Sequence, residues 1–251
     1  MPKLLTLLIN LDGSDDRLSH AKAQLSQVGI EAERVPACDA RGKSPASFEE
    51  YDPARAIRNF SRPMTGGEIG CYKSHLQCVE RFLNSDCDYA LVLEDDLAFT
   101  DNAQQTIQDL IAKLDAGLVP DWELVNLGNT SRKFNRPISD VNGHSLEHAF
   151  YFPTLATALL WSRSGAEAFY ATRRTIYAPV DEFFKQFMTK RGLGLCLNPP
   201  CVLTSGAPSE IDNVDSGARQ RPQHTPAYFW AEFKRQSKNY FYAFRNLRKS
   251  R

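Results

Sequence analysis

Two clusters in this chain combine residue types and spacing that could do chemistry. Glu94, Asp95 and Asp96 follow directly on the apolar run Ala90-Leu91-Val92-Leu93. In an open α/β sheet, ligands bind beyond the carboxyl ends of the strands. Carboxylates placed there can hold Mg²⁺ or Mn²⁺, hard ions that prefer oxygen ligands and can bridge a diphosphate. The plain alternative is a solvated acidic turn that caps the next helix. The second cluster is Thr65-Gly66-Gly67-Glu68-Ile69-Gly70-Cys71-Tyr72-Lys73-Ser74-His75. Paired glycines at a helix start let backbone approach a ligand, and a helix N-terminus favours anionic groups. Here the alternative is an ordinary capped loop-to-helix junction, with His75 packed at an interface.

The surrounding pattern supplies elements to carry these residues. Leu4–Leu11 is a near-continuous apolar run, as expected of a strand covered on both faces. Ser14 can cap a helix to about Val28, with Leu18, Ala21, Leu25 and Val28 on one face and Gly29 ending it. Ile30–Val35 then reads as a strand, which makes a β-α-β start and favours a parallel sheet. Arg41–Met64 is polar with three prolines and reads as an irregular excursion holding a short helix. Ile69, Tyr72, Leu76, Val79 and Leu83 define an amphipathic helix, and Thr65 with Glu68 forms a capping-box pattern at its start. Further strands are expected at Asp88–Leu93, Trp122–Leu127 and Gly194–Leu197, with candidates between His148 and Trp161. Helices are expected at Asn102–Leu114, Ser164–Arg173 and Val180–Lys190, and Ser131–Ser145 reads as loop.

In this order, the blocks resemble glycosyltransferase family 25, the lipopolysaccharide and lipooligosaccharide glycosyltransferases that include the collagen galactosyltransferases. Gly67 to His75 is followed about 20 residues later by Ala90 to Asp96. Before them stand Ile9-Asn10-Leu11-Asp12 with Arg17, and Val35-Pro36-Ala37-Cys38-Asp39-Ala40; after them come Trp122 to Gly128, Ser162 to Ala166 and Pro179-Val180-Asp181. The likeness covers roughly residues 3–215. Gly13 stands where the family usually has Arg, Ala40-Arg41-Gly42 loosens its Asp-Gly, and Thr157 to Trp161 replaces a Gly/Ala-Tyr-rich strand.

The resemblance implies a GT-A-like, Rossmann-type α/β domain over residues 1–227, a mostly parallel sheet flanked by helices; residues 228–251 read, from their composition, as a separate basic aromatic helical tail. It implies an inverting, metal-assisted transfer of a hexose, with galactose from UDP-galactose the leading donor, to a lipid-linked lipooligosaccharide or lipopolysaccharide glycan. Asp96 is then the expected metal ligand, joined by Glu94, which could instead contact the donor ribose; Asp95, Asn10, Arg17, Glu68 and His75 are expected around the donor. A divalent Mn²⁺ or Mg²⁺ neutralises the charge that grows on the leaving diphosphate. Asp181 is the candidate base for the acceptor hydroxyl, or simply a helix cap. Ser205 to Asp212 resembles the family's end block and could close over the donor, and His224 could complete a metal shell. The rival readings are a glucosyl or other hexosyl transferase, a non-catalytic glycan-binding relative, and a metal-dependent phosphohydrolase, for which a further ligand constellation is wanting.

Composition narrows the setting. The 251 residues hold 30 basic and 30 acidic side chains, 42% hydrophobic residues and 14 each of Gly and Pro, a globular mix that argues against a disordered or collagen-like chain and a nucleic-acid binder. The balance is uneven along the chain. Residues 228–251 carry seven basic residues, one acid and eight aromatics, a net +6 against −6 for the rest. Such a helix can lie in the interface of an anionic membrane, or pack its aromatics on the domain. No stretch is long and apolar enough to span a bilayer. The apolar start lacks a cleavage site and reads as a buried strand. Six unpaired-looking cysteines suit a reduced, cytoplasmic chain. The expected location is therefore the cytoplasm, peripheral on the inner face of the inner membrane.

Overall fold

The computed structural model describes residues 2–128, 131, 133–206 and 226–250. Its centre is an eight-stranded sheet of order β2-β1-β3-β8-β5-β9-β7-β6. The strands are β1 (Leu4–Asn10), β2 (Glu33–Pro36), β3 (Tyr89–Glu94), β5 (Leu124–Asn126), β6 (Asn135–Val141), β7 (His144–Ala149), β8 (Ala158–Ser162) and β9 (Gly194–Asn198). A short antiparallel pair, β4 (Leu97–Phe99) with β10 (Val202–Thr204), lies beyond the end of β3. Of the eight strands, β7 and β8 run against the other six. The sheet is thus mixed but mostly unidirectional, the expected α/β architecture.

Alternation along the strands builds two cores. Leu7, Ile9, Ala90, Val92, Leu159 and Trp161 face one layer; Leu8, Leu91, Leu93, Ala158 and Leu160 face the other, because successive Cβ atoms point to opposite faces. The first layer is covered by α2 (Pro53–Phe60), α3 (Gly66–Leu83), α5 (Arg163–Tyr170) and α6 (Val180–Arg191), the second by α1 (Asp15–Val28) and α4 (Ala103–Asp115). Trp161 anchors the first layer, stacked on Phe169 at 5.5 Å and edge-on to Phe184 at 5.3 Å. Each such aromatic pair adds about 1 kcal/mol beyond the area it buries.

The capping box is formed as expected: Glu68 N donates to Thr65 Oγ1 at 3.2 Å and Thr65 N to a Glu68 carboxylate oxygen at 2.9 Å. Gly29 ends α1 in the left-handed conformation, φ +72°, whereas Ser14 makes no side-chain capping bond. The excursion after β2 contains a 3₁₀ turn at Pro45–Ser47 and α2, which starts at Pro53 under an Asp52 cap.

One expectation fails. Within the stretch read as loop, Asn135–Val141 is β6, paired antiparallel with β7 through the turn Asn142-Gly143. Both turn residues have positive φ, +55° and +82°, as in the tight turns that join hairpins. β6 lies at the sheet edge and holds Asn, Pro, Ser and Asp, so it lacks the alternation that marks a half-buried strand.

The tail forms one helix, α7 (Pro226–Lys249), starting just before the expected 227/228 division. It packs on α2 and α6. Asn239, Ala243 and Asn246 are its buried points, with Asn246 Nδ2 donating to Thr189 O at 2.9 Å. Phe229, Trp230, Phe233, Phe241 and Phe244 stay 48–63% exposed. No helix among the described residues is long and apolar enough to cross a membrane.

Candidate active site

β1 and β3 are parallel neighbours with Ile9 opposite Glu94, so Asn10 and the acid triplet emerge at the same sheet edge. A pocket of about 210 Å³ opens there, bounded by the ends of β1 and β3, the Ala37–Arg41 loop and the first turns of α3. Its floor depends on two glycines. A Cβ on Gly66 would lie 2.1 Å from Ala40 O, and one on Gly70 would lie 2.4 Å from Cys38 O. Only hydrogen at these positions lets the Cys38–Ala40 segment lie on the helix. Gly66 therefore serves approach of the chain to itself, while Gly67 borders the pocket.

The three acids have different environments. Asp95 is buried and saturated: Asn10 Nδ2 donates to Oδ2 at 2.7 Å, and the Arg17 guanidinium pairs with Oδ1, Nε at 2.8 Å. Arg34 Nε in turn donates to Asn10 Oδ1 at 2.9 Å. Asn10, Arg17 and Asp95 are thus brought together as one bonded unit in the pocket wall.

Glu94 faces α3. One of its oxygens lies 3.0 Å from His75 Nε2 and 3.8 Å from Cys71 Sγ. The three ligand-type atoms lie within 4.8 Å of one another. Cys71 and His75, four residues apart, share one face of α3. Burial, followed by the charge of Glu94, pushes the Cys71 thiol well up, so it is a neutral donor. His75 is buried, edge-on to Phe184 at 5.7 Å, and its Nδ1 lacks a hydrogen-bond partner.

Asp96 differs from both. Its Oδ1 is buried without any hydrogen-bond partner. Burial, then the Glu94 charge, raises its pKa to about 6, against the pull of Arg17. A buried, unsatisfied carboxylate oxygen costs free energy unless a cation or donor reaches it. Ser205 N donates to Asp96 O at 2.6 Å, so the expected end block begins at the triplet. Residues 207–212 of that block, and His224, lie outside the described residues.

Asp181 sits in the first turn of α6 and accepts from Glu182 N at 2.7 Å. Burial, then the Glu182 charge, raises its pKa; Glu94 adds to the rise, and the Asp181 charge is felt at Cys71. Glu94 and Asp181 are thus electrostatically coupled. Glu68 is occupied elsewhere. Besides closing the capping box, it holds the Arg62 guanidinium through two bonds of 2.6 and 2.8 Å, an arrangement that orients the start of α3.

Sequence reasoning passed over Cys71, Arg34 and Arg62. The i, i+4 spacing of Cys71 and His75 in a helical stretch was a usable signal. The arginines carried none, because their partners are set by the fold.

Residues 4–184 match a family model described as glycosyltransferase family 25 (LPS biosynthesis protein). The chain is 30% identical over 183 residues to procollagen galactosyltransferase 2 of Mus musculus, covering 70% of this chain and 29% of that protein. It is 26% identical over 188 residues to procollagen galactosyltransferase 1 of Danio rerio, covering 73% and 31%. The chain thus spans about three tenths of the length of these relatives. Among solved structures, a glycosyltransferase involved in the glycosylation of the major capsid of PBCV-1 superposes with TM-score 0.45 at 11% identity, covering 86% of this chain and 98% of that one.

Proposed function

From the premise that the chain belongs to glycosyltransferase family 25, we propose that it transfers a hexose, with inversion, from a nucleotide sugar to a glycan at this pocket. The observation that carries the reading is the unsatisfied buried oxygen of Asp96 beside Glu94, at the carboxyl end of a parallel strand. The nucleotide diphosphate is the ligand chemistry this position suits. The proposed donor is UDP-galactose, a choice supported by the galactosyltransferase names of the relatives. The proposed acceptor is a lipid-linked lipooligosaccharide or lipopolysaccharide glycan, in keeping with the family description.

Asp96 and Glu94 offer the hard oxygen donors that suit Mn²⁺ or Mg²⁺. When bound, the ion would offset the negative charge growing on the leaving diphosphate. Cys71 and His75 add softer donors beside Glu94, a set closer to zinc chemistry. The Asn10–Asp95–Arg17 unit keeps the triplet's backbone in place and leaves Asp96 as the reactive carboxylate. Asp181 takes the acceptor proton: burial raises its pKa, which brings a carboxylate nearer the range where a general base works well.

The reading extends to a peripheral enzyme in the cytoplasm, on the inner face of the inner membrane. Supporting it are the exposed aromatics of α7 and the basic Arg248 and Lys249 at its end. An anionic bilayer attracts such a helix through both apolar burial and charge.

The test is a donor panel with Mn²⁺, measuring hydrolysis and thermal shift with UDP-galactose, UDP-glucose and UDP-N-acetylglucosamine. Turnover of UDP-galactose that is lost in Asp96→Ala is expected. Absence of binding and turnover with every donor would overturn the transferase reading, and preference for another donor would move the sugar assignment.

A further inference from the structure

A second cavity, about 440 Å³, lies between α2, α6 and α7, on a side of the molecule built by none of the acid-triplet residues. Three helices turn cations into it. Arg55 and Arg58 come from α2, Lys190 from α6, and Lys234 and Lys238 from α7. Among the described residues no carboxylate lies within ion-pair distance of any of these five. Arg235, a sixth cation at the cleft, is neutralised by Glu232 and Glu182.

Arg58, Lys190, Lys234 and Lys238 are solvent-exposed, so the gathering is only mildly unfavourable. Like charges three and four residues apart on one helix repel, and Arg55/Arg58 and Lys234/Lys238 are two such pairs facing one space. Nor is the polar lining satisfied: the buried Nε2 of Gln186, on the cavity wall, donates to nothing. Arg55 is stacked on Tyr177 at 3.5 Å, and Lys234 lies 5.1 Å from the Trp230 ring; cations without carboxylate partners, together with an idle amide donor, suit an acceptor of negative charge. Phe183, Phe187 and Tyr242 supply flat apolar walls between them, a lining that suits a sugar ring as well as an anion.

Gln186 and Lys190 stand five and nine residues after Asp181 on α6, about 8 and 14 Å along the helix and about 140° and 180° round it. A glycan with its hydroxyl at Asp181 would pass round α6 to place an anion in the cleft. We propose that this cleft binds a phosphate-class oxyanion on the acceptor glycan, so that the substrate is a phosphorylated oligosaccharide rather than a neutral one. The proposal rests on the transferase reading and deepens it.

The experiment is calorimetric titration of the full chain with glucose 6-phosphate, and with glucose as the neutral control. Saturable binding of the phosphate ester alone is expected, weakening with salt. The double variant Lys190→Gln/Lys238→Gln, at two exposed positions, should raise Kd at least about tenfold, the loss expected for a charge-assisted contact. Arg58→Gln, also exposed, should act in the same direction, and circular dichroism checks that each variant is folded. Failure of the wild-type chain to bind the ester, or equal binding by all variants, overturns the site. In a competition arm, vesicles of phosphatidylcholine and phosphatidylglycerol that displace the ester would assign the oxyanion to a lipid headgroup and overturn the acceptor assignment; no displacement supports it. Hydrolysis of UDP-galactose by the wild-type chain, assayed without any phosphate ester, separately decides the donor reading.

Discussion

Asn10 and Asp95, 85 residues apart in sequence, meet at 2.7 Å where β1 and β3 end. This bond, with the Arg17 pair, gives the middle acid of the triplet a structural occupation. The acid after it is left with a buried oxygen that nothing satisfies. Two adjacent residues of the same chemistry therefore have different surroundings, and the difference can be tested.

Asp96→Asn should abolish nucleotide-sugar turnover and remove any thermal stabilisation by Mn²⁺. It should also stabilise the metal-free protein at neutral pH. A carboxyl whose folded pKa lies near 6, above its ordinary 3.8, binds its proton more tightly in the fold. Ionising it destabilises the fold progressively between about pH 4 and 6, by on the order of 3 kcal/mol once complete. Urea unfolding at pH 5 and pH 8 checks this: the gain in Asp96→Asn should be larger at pH 8.

Arg17→Met should have the opposite effect on stability. It strips the buried Asp95 of its cation; Arg17 is itself partly exposed and Asn10 still bonds Asp95, so the cost is about 1–3 kcal/mol, that of leaving a buried group short of a partner. Urea denaturation should show this loss at pH 7. Stability equal to wild type would mean that the pair does not hold the triplet.

Gly70→Ala should damage the pocket from a distance. The added methyl would meet Cys38 O at 2.4 Å, backbone against backbone, so α3 and the Cys38–Ala40 segment must part. A loss of about 1–3 kcal/mol is expected for such overpacking, with a weakened nucleotide-sugar affinity measured by calorimetry. Gly117→Ala is the control: it has nothing near it, only a positive φ of +82°, and should leave affinity alone.

Asp181→Asn should lower kcat by roughly 10²–10⁴, the usual worth of a general base, while donor affinity is kept. Affinity lost in parallel with kcat would make Asp181 a positioning residue.

Phe229→Ser/Trp230→Ser/Phe233→Ser should reduce co-sedimentation with anionic vesicles without unfolding the chain, because all three side chains are more than half exposed. Undiminished sedimentation would remove these aromatics from any contact with a membrane.

Local rules already marked much of this molecule. The apolar run into Glu94-Asp95-Asp96 is a strand ending in acids, and the Thr65/Glu68 spacing became a capping box with both bonds made. Helix α1 ends at a glycine in the left-handed conformation, which the sequence pattern anticipates. Where local pattern was weak, as in the polar edge strand Asn135–Val141, the sequence misled, since its pairing with β7 and the Asn142-Gly143 turn carry the strand rather than its own periodicity.

The sequence by itself determined most of the elements, the acids at a strand end and the charged, aromatic tail, because propensity, capping and hydrophobic period act over a few residues. Tertiary structure decided which acid is saturated and which keeps an unsatisfied oxygen, that Cys71 joins His75 at Glu94, that Glu68 answers to Arg62, and that five cations from three helices share one cleft. Those outcomes depend on strand order and helix packing between residues up to 183 positions apart, and burial, which assigns each carboxylate its pKa, exists only once the chain has closed on itself.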